Sequence, residues 1–240
     1  MASEYPIDYY SLLDACASPG CPLCRLLLNG VERLLDSLLY ERVNEAETQR
    51  AVRARRGLCN THAWQMSRMT GNALGIAILY RAALDETLSA VKPLPPSRLG
   101  HVPGAPSQQE RLRLADTLEP TEPCLACRLA DDTERRTLGT LTRYLGDERL
   151  LAALRASYGL CLNHFRAALR QERRFAGMDV LIDIQRDIWG RLSAQLQEFI
   201  DKNDYRRMRE PMGAESDSWQ RALRALAGEA GAFGIDRSMG

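Results

Sequence analysis

Aromatic residues are scarce in this chain: four Phe, three Trp and eight Tyr make up 6% of 240 residues. A core short of aromatics has to be filled by Leu and Ala, which favour helices over the aromatic and β-branched strands of sandwiches. No stretch alternates apolar and polar residues with period two, so no strand is predicted. An excess of one charge is also missing. The 32 Lys and Arg stand against 31 Asp and Glu, a formal net charge of +1. No global field therefore draws the chain to an anionic membrane, and nucleic acid is an unlikely partner. No apolar run reaches the roughly 20 residues that cross a bilayer. Met1 to Tyr10 lacks the basic start and apolar stretch of a signal peptide, so a cytoplasmic location is the expectation. Paired carboxylates, a Ser-His-Asp set and a Gly-rich phosphate loop are absent too, and an enzyme is not expected.

Cysteine is present in quantity, with seven residues against only three histidines. In a reducing compartment this points to metal ligands or free thiols rather than disulfides. Six of the seven fall in a pattern that occurs twice. CPLCR (Cys21 to Arg25) precedes GLCNTH (Gly57 to His62); CLACR (Cys124 to Arg128) precedes GLCLNH (Gly159 to His164). The CxxC pairs are offset by 103 residues and the CxxH pairs by 102, as expected of an internal duplication with one single-residue indel.

The two copies flank a breaker. Val91 to Ser107 holds five prolines and two glycines and cannot be spanned by a helix. The expected organisation is a first helical repeat (1–90), a Pro-rich linker (91–107), a second helical repeat (108–203) and a tail (204–240). Leu27, Val31, Leu34, Leu35, Leu38 and Leu39 recur at helical steps, as do Leu138, Leu141, Leu145, Leu150, Leu151 and Leu154 with a break near Gly146. One helix is expected from Trp64 to Ala90. Another is expected from Phe165 to about Asp201, with Ile182, Trp189, Leu192, Leu196 and Phe199 inward and Gly177 as a candidate interruption. In the tail, Ser216, Asp217 or Ser218 would cap a short amphipathic helix with Trp219, Leu223 and Leu226 as its apolar face. The last ten residues read as frayed. The predicted fold class is all-α: two sequence-related halves, each pinned by its own metal site, plus the tail.

Zinc takes four S or N donors at tetrahedral corners, and two residues separated by two others can share one ion at a turn or helix start. The ligand set is Cys21, Cys24, Cys59 and His62 in one half and Cys124, Cys127, Cys161 and His164 in the other, for two zinc ions per chain. Pairing the CxxC of one half with the CxxH of the other satisfies the spacing equally. An iron–sulfur cluster is the alternative cofactor. Pro22 suits the first position of a helix, Gly57 and Gly159 suit a chain reversal with positive φ, and the thiolates would face helix N-termini. Three thiolates and one dication leave a charge of −1, which Arg25 and Arg128 could offset unless they are simply solvated. Cys16 reads as a small buried hydrophobe. His101 reads as solvated, Met66 and Met69 as core filler, and Arg50, Arg53, Arg55 and Arg56 as a solvated face.

These motifs, with the tail EFIDKNDYRRMREPMGAESDSWQRAL, resemble an uncharacterised prokaryotic family, the domain-of-unknown-function family 6062. The resemblance runs from about Tyr9 to Gly228, and Glu198 to Leu223 is its most distinctive piece. It implies a helical protein with paired cysteine motifs and carries no activity. The expected role is that of a structural, adaptor or regulatory protein that binds a protein partner or itself through the tail around Trp219. The alternatives are an iron–sulfur or thiol-based redox sensor and a nucleic-acid-binding regulator.

Overall fold

The computed structural model describes residues 5–91, 107–171, 177–207 and 209–233. All but one residue of the Pro-rich stretch after Val91, His101 included, and the last seven residues lie outside the described residues. Among the described residues every regular element is a helix: α1 (Ile7–Cys16), α2 (Pro22–Tyr40), α3 (Ala46–Ala54), α4 (Asn60–Ser67), α5 (Ala73–Ala90), α6 (Gln108–Leu118), α7 (Leu125–Arg143), α8 (Glu148–Ala156), α9 (Leu162–Leu169), α10 (Met178–Lys202) and α11 (Ser218–Ala227). The fold is all-α. No helix is long and apolar enough to cross a membrane.

The helices that follow corresponding motifs match in length. α2 and α7 have 19 residues each, α3 and α8 nine, and α4 and α9 eight. The expected break near Gly146 falls between α7 and α8, where Asp147 caps α8 by accepting from the backbone N–H groups of Arg149 and Leu150 at 3.0 Å each. The single helix expected from Trp64 to Ala90 is instead two. α4 ends at Ser67, Gly71 takes φ +70°, and the Asn72 side chain donates to the Met66 carbonyl at 2.8 Å before α5 starts. Periodicity missed this break because both pieces carry apolar residues at helical steps. The long helix expected after His164 is likewise divided into α9 and α10 on either side of Gly177.

The chain forms two compact units that do not coincide with the sequence halves. Unit 1 combines Met1–Gly30 with Ala130–Phe233; unit 2 is Val31–Leu129 with Gly234–Gly240. α2 and α7 each begin in one unit and end in the other. Unit 1 buries Leu12, Leu23, Leu27, Leu141, Leu150 and Leu154, with Tyr9 among them donating its hydroxyl to Asp147 Oδ1 at 2.6 Å. Burial and that carboxylate raise the Tyr9 pKa. Unit 2 buries Leu35, Leu38, Val52, Met66 and Leu79. Cys16 is a buried hydrophobe, its pKa pushed up to about 12 by burial.

The expected inner face of α10 is corrected in part. On α10 the buried side is Leu181, Ile184, Gln185 and Ile188, while Ile182 is exposed. On α11 the apolar stripe points outward: Trp219, Leu223 and Leu226 are 48%, 61% and 60% exposed. α11 turns Ser218 and Arg221 inward instead. The Arg221 guanidinium donates to Gln195 Oε1 at 2.7 Å and to the Ala214 carbonyl. Hydrogen bonding, not hydrophobic burial, thus sets the orientation of this helix.

Candidate metal centres

All four motif pieces are built alike. The carbonyl of each first Cys accepts the first helical hydrogen bond: Cys21 from Arg25 N–H, Cys59 from Ala63, Cys124 from Arg128 and Cys161 from Phe165, at 2.8–3.1 Å. Each first Cys is therefore an N-cap, and the second ligand, Cys or His, lies three residues on, in the first helical turn. Sulfur and imidazole stand where unpaired N–H groups and the helix dipole favour negative charge. α2 begins at Pro22, as the sequence suggests.

The CxxH turns depend on glycine. Gly57 has φ +108° and Gly159 φ +74°, so both occupy the positive-φ region expected for them. A Cβ at Gly57 would meet the Tyr80 ring at 3.0 Å, and one at Gly159 would meet the Gln185 side chain at 3.0 Å. Each neighbour also holds the residue between Gly and Cys. Leu58 N–H donates to the Tyr80 hydroxyl at 3.3 Å, and Leu160 N–H donates to Gln185 Oε1 at 2.9 Å.

The eight expected ligands converge in two buried tetrads. One is Cys21, Cys24, Cys161 and His164; the other is Cys59, His62, Cys124 and Cys127. Donor atoms within each tetrad all lie within 4.8 Å of one another. The expectation that each half closes on itself is thereby corrected. CxxC of one half meets CxxH of the other, because the units that bring helix starts together are not the sequence halves. In the first tetrad Cys24 Sγ lies 3.7 Å from Cys161 Sγ, and His164 Nδ1 lies 3.4, 3.4 and 3.3 Å from the sulfurs of Cys21, Cys24 and Cys161. In the second, Cys59 Sγ lies 3.6 Å from Cys127 Sγ, and His62 Nδ1 lies 3.1, 3.7 and 3.4 Å from Cys59, Cys124 and Cys127.

Crowding splits the protonation of the sulfurs. Burial opposes ionisation of Cys21, yet contacts with Cys161, Cys24 and His164 hold its pKa well below the ordinary thiol range. Contacts with Cys127 and Cys59 do the same for Cys124 against its burial. Cys24 is raised by Cys161 and Cys21, and Cys127 by Cys124 and Cys59. Burial would lower the imidazoles, but Cys124 and Cys59 hold His62 up to about 9, and Cys161, Cys21 and Glu134 hold His164 well above its usual value. Each tetrad thus crowds ionisable sulfurs and an imidazole into one buried site, and a dication would bind there by displacing their protons.

Several neighbours were not foreseen. Glu134 Oε1 stands 3.1 Å from His164 Nε2. This is an ion-pair contact and not a well-aligned hydrogen bond, since the ring nitrogen meets no hydrogen-bond geometry there. Its signal was an acidic residue two helical turns after Cys127. Phe233 packs on the His164 ring at 5.1 Å between centroids; a contact so far along the chain leaves no local signal. Arg25 and Arg128 do not turn to the sulfurs. Each reaches back six residues, Arg25 to the Pro19 carbonyl at 2.6 Å and Arg128 to Glu122 Oε2 at 3.3 Å. Arg56 leaves the solvated basic run to donate to the Thr117 carbonyl at 2.8 Å.

A family model described as "Family of unknown function (DUF6062)" matches residues 7–232. The chain belongs to this family. The DUF6062 match spans both tetrads and α11, so the four motif pieces and the tail lie inside one family unit. No curated protein and no solved structure matches the chain.

Proposed function

We propose that this DUF6062 protein binds two structural zinc ions, one per tetrad, and acts as an adaptor or regulatory protein. The observation that carries the reading is the donor spacing. Around one zinc, donors at about 2.3 Å for sulfur and about 2.0 Å for nitrogen stand about 3.8 Å apart S to S and about 3.5 Å S to N. Cys24 and Cys161 stand 3.7 Å apart, Cys59 and Cys127 3.6 Å, the sulfur-to-nitrogen separations are 3.1–3.7 Å, and all donors of a tetrad lie within 4.8 Å of one another. A 4Fe–4S cluster attaches each protein ligand to a different iron and a 2Fe–2S cluster splits them two and two, so both spread the four donors wider than one ion does, and the spacing favours a single ion over the iron–sulfur alternative.

Four protein donors and near-complete burial leave no position for a substrate, which favours a structural over a hydrolytic ion. In unit 1 the ion would join two chain segments about 100 residues apart, since Cys21 and Cys24 come from Met1–Gly30 and Cys161 and His164 from Ala130–Phe233. We read the matched helices as products of a duplication. The outward stripe Trp219, Leu223 and Leu226 is the surface we assign to a protein partner or a second copy. Nucleic-acid binding has less support, because Arg56 is engaged with Thr117 and, at 3.9 Å, with Glu86.

Elemental analysis of protein purified anaerobically without chelator tests the reading. Two zinc ions per chain, no acid-labile sulfide and a colourless solution are expected. Iron with sulfide and a brown solution would replace zinc by the redox alternative, and no metal at all would end the proposal.

A further inference from the structure

Beside the first tetrad, unit 1 holds a cavity of about 270 Å³. Its inner wall includes Cys21 and Cys161, its apolar side Ile188 and Leu192, and its charged side Arg155 from α8, Arg191 from α10 and Arg221 and Arg224 from α11. No acidic residue lines it. That is a marked bias in a chain where 31 acidic residues nearly balance 32 basic ones.

The arginines divide into two pairs. Arg221 is committed to Asp217, Gln195 and Ala214, and Arg224 lies 3.5 Å from Glu229. Arg155 and Arg191 have no hydrogen-bond or ion-pair partner among the described residues. Arg155 and Arg191 also border a neighbouring groove that holds Asp183 and Asp187, but Asp183 pairs with Arg186 at 2.8 Å and neither carboxylate is in ion-pair contact with Arg155 or Arg191. Two arginines without an ion-pair or hydrogen-bond partner thus stand on separate helices at the rim shared by this cavity and the groove, with Arg221 and Arg224 also lining the cavity.

We propose that this cavity binds a small phosphorylated molecule, with Arg155 and Arg191 gripping the phosphate and Ile188 and Leu192 against the organic body. Guanidinium forks match the oxygens of a phosphate bidentately, and two of them match the roughly two negative charges of a phosphate monoester. The small volume suits a metabolite and excludes a polymer. The inference goes beyond the metal reading and does not rest on which ion the tetrads hold.

Calorimetric titration of the full chain with inorganic pyrophosphate, at low and high salt, tests it. One saturable site is expected, weakening as salt rises. The double variant Arg155→Gln/Arg191→Gln should lose about tenfold or more in affinity. Both side chains are exposed and unpaired, so the variant should keep the wild-type fold by circular dichroism. The charge-matched control Arg81→Gln/Arg135→Gln removes two exposed arginines away from the cavity and its neighbouring groove and should bind as the wild type does. No saturable binding to the wild-type chain, an equal loss in both double variants, or citrate bound in preference to pyrophosphate would each overturn the proposal. Metal content measured on the same samples keeps this result separate from the fate of the zinc reading.

Discussion

Behind the histidine of the first tetrad stands Glu134, whereas the position 103 residues earlier, which corresponds to it by the offset of the CxxC pairs, is the buried Val31. Over the same histidine lies Phe233 from the tail, and beside its cysteines opens the arginine-lined cavity. The second tetrad has the same donors, the same N-cap grammar and the same glycine turn, with none of these neighbours reported around it among the described residues. Two of its cysteines are slightly more open, Cys59 at 8% and Cys127 at 6%, while Cys124 at 1% is as buried as those of the first tetrad. Equivalent motifs can therefore sit in different surroundings, one tetrad having an acidic residue, an aromatic ring and a cavity beside it that the other does not share among the described residues.

Removing a ligand should break this comparison most visibly. Cys24→Ser and Cys127→Ser should each lower the metal content from two ions to one. The loss in stability should be several kcal/mol, below the roughly 10–16 kcal/mol that structural zinc contributes in isolated fingers. Hydrogen exchange should then rise across both segments of unit 1 for Cys24→Ser, but across Val31–Leu129 for Cys127→Ser. The same map for both variants would show that the tetrads do not act in separate units.

Glu134→Gln sharpens the contrast by acting on one centre only. A carboxylate behind a ligating histidine typically contributes about 10–100-fold in metal affinity. Competition with a chromophoric chelator should show the first ion leaving that much more readily and the second unchanged; two unchanged phases would remove Glu134 from the account.

The two turns offer a subtler test. Gly57→Ala and Gly159→Ala should each cost about 1–2 kcal/mol, read from urea midpoints. The backbone cost should be greater at Gly57, whose φ of +108° lies farther from the left-handed helical region than the +74° of Gly159; a Cβ would meet a neighbour at 3.0 Å at either site. Equal midpoints for wild type and Gly57→Ala would show that the turn relaxes.

The smallest effect concerns the tail, a feature of unit 1. Glu215 accepts from Lys202 at 2.7 Å and from Gly213 N–H at 2.7 Å, and Lys202 is the first cause holding its pKa down from 4.5 to about 2. A depressed native pKa stabilises above the unfolded value and is lost as pH falls through the native one. Glu215→Gln should therefore be less stable than the wild type at pH 7, with the gap closing between about 4.5 and about 2. A gap independent of pH would assign the effect to packing.

Much of this protein was legible along the chain. Helical periodicity located α2, α7 and α8, Gly146 marked a break, and the repeated Cys and His spacing picked out the eight side chains that cluster in the two tetrads. Local patterning failed where the decisive contact was distant. The orientation of α11 hinges on Arg221 reaching Gln195, 26 residues away, whereas the division of Trp64–Ala90 has a local cause that periodicity does not register, Asn72 closing back on Met66 past Gly71.

The sequence by itself determined which side chains could be ligands and that each pair would sit at a helix start, because a CxxC or CxxH spacing is a local property of one turn. Which pair meets which was decided only in the tertiary structure. Both pairings satisfy the spacing, and the choice belongs to the burial of apolar faces that assembles Met1–Gly30 with Ala130–Phe233 and leaves Val31–Leu129 to form its own unit. Long-range packing, invisible to any local pattern, is what brings Cys21 and Cys24 to Cys161 and His164 and not to Cys59 and His62.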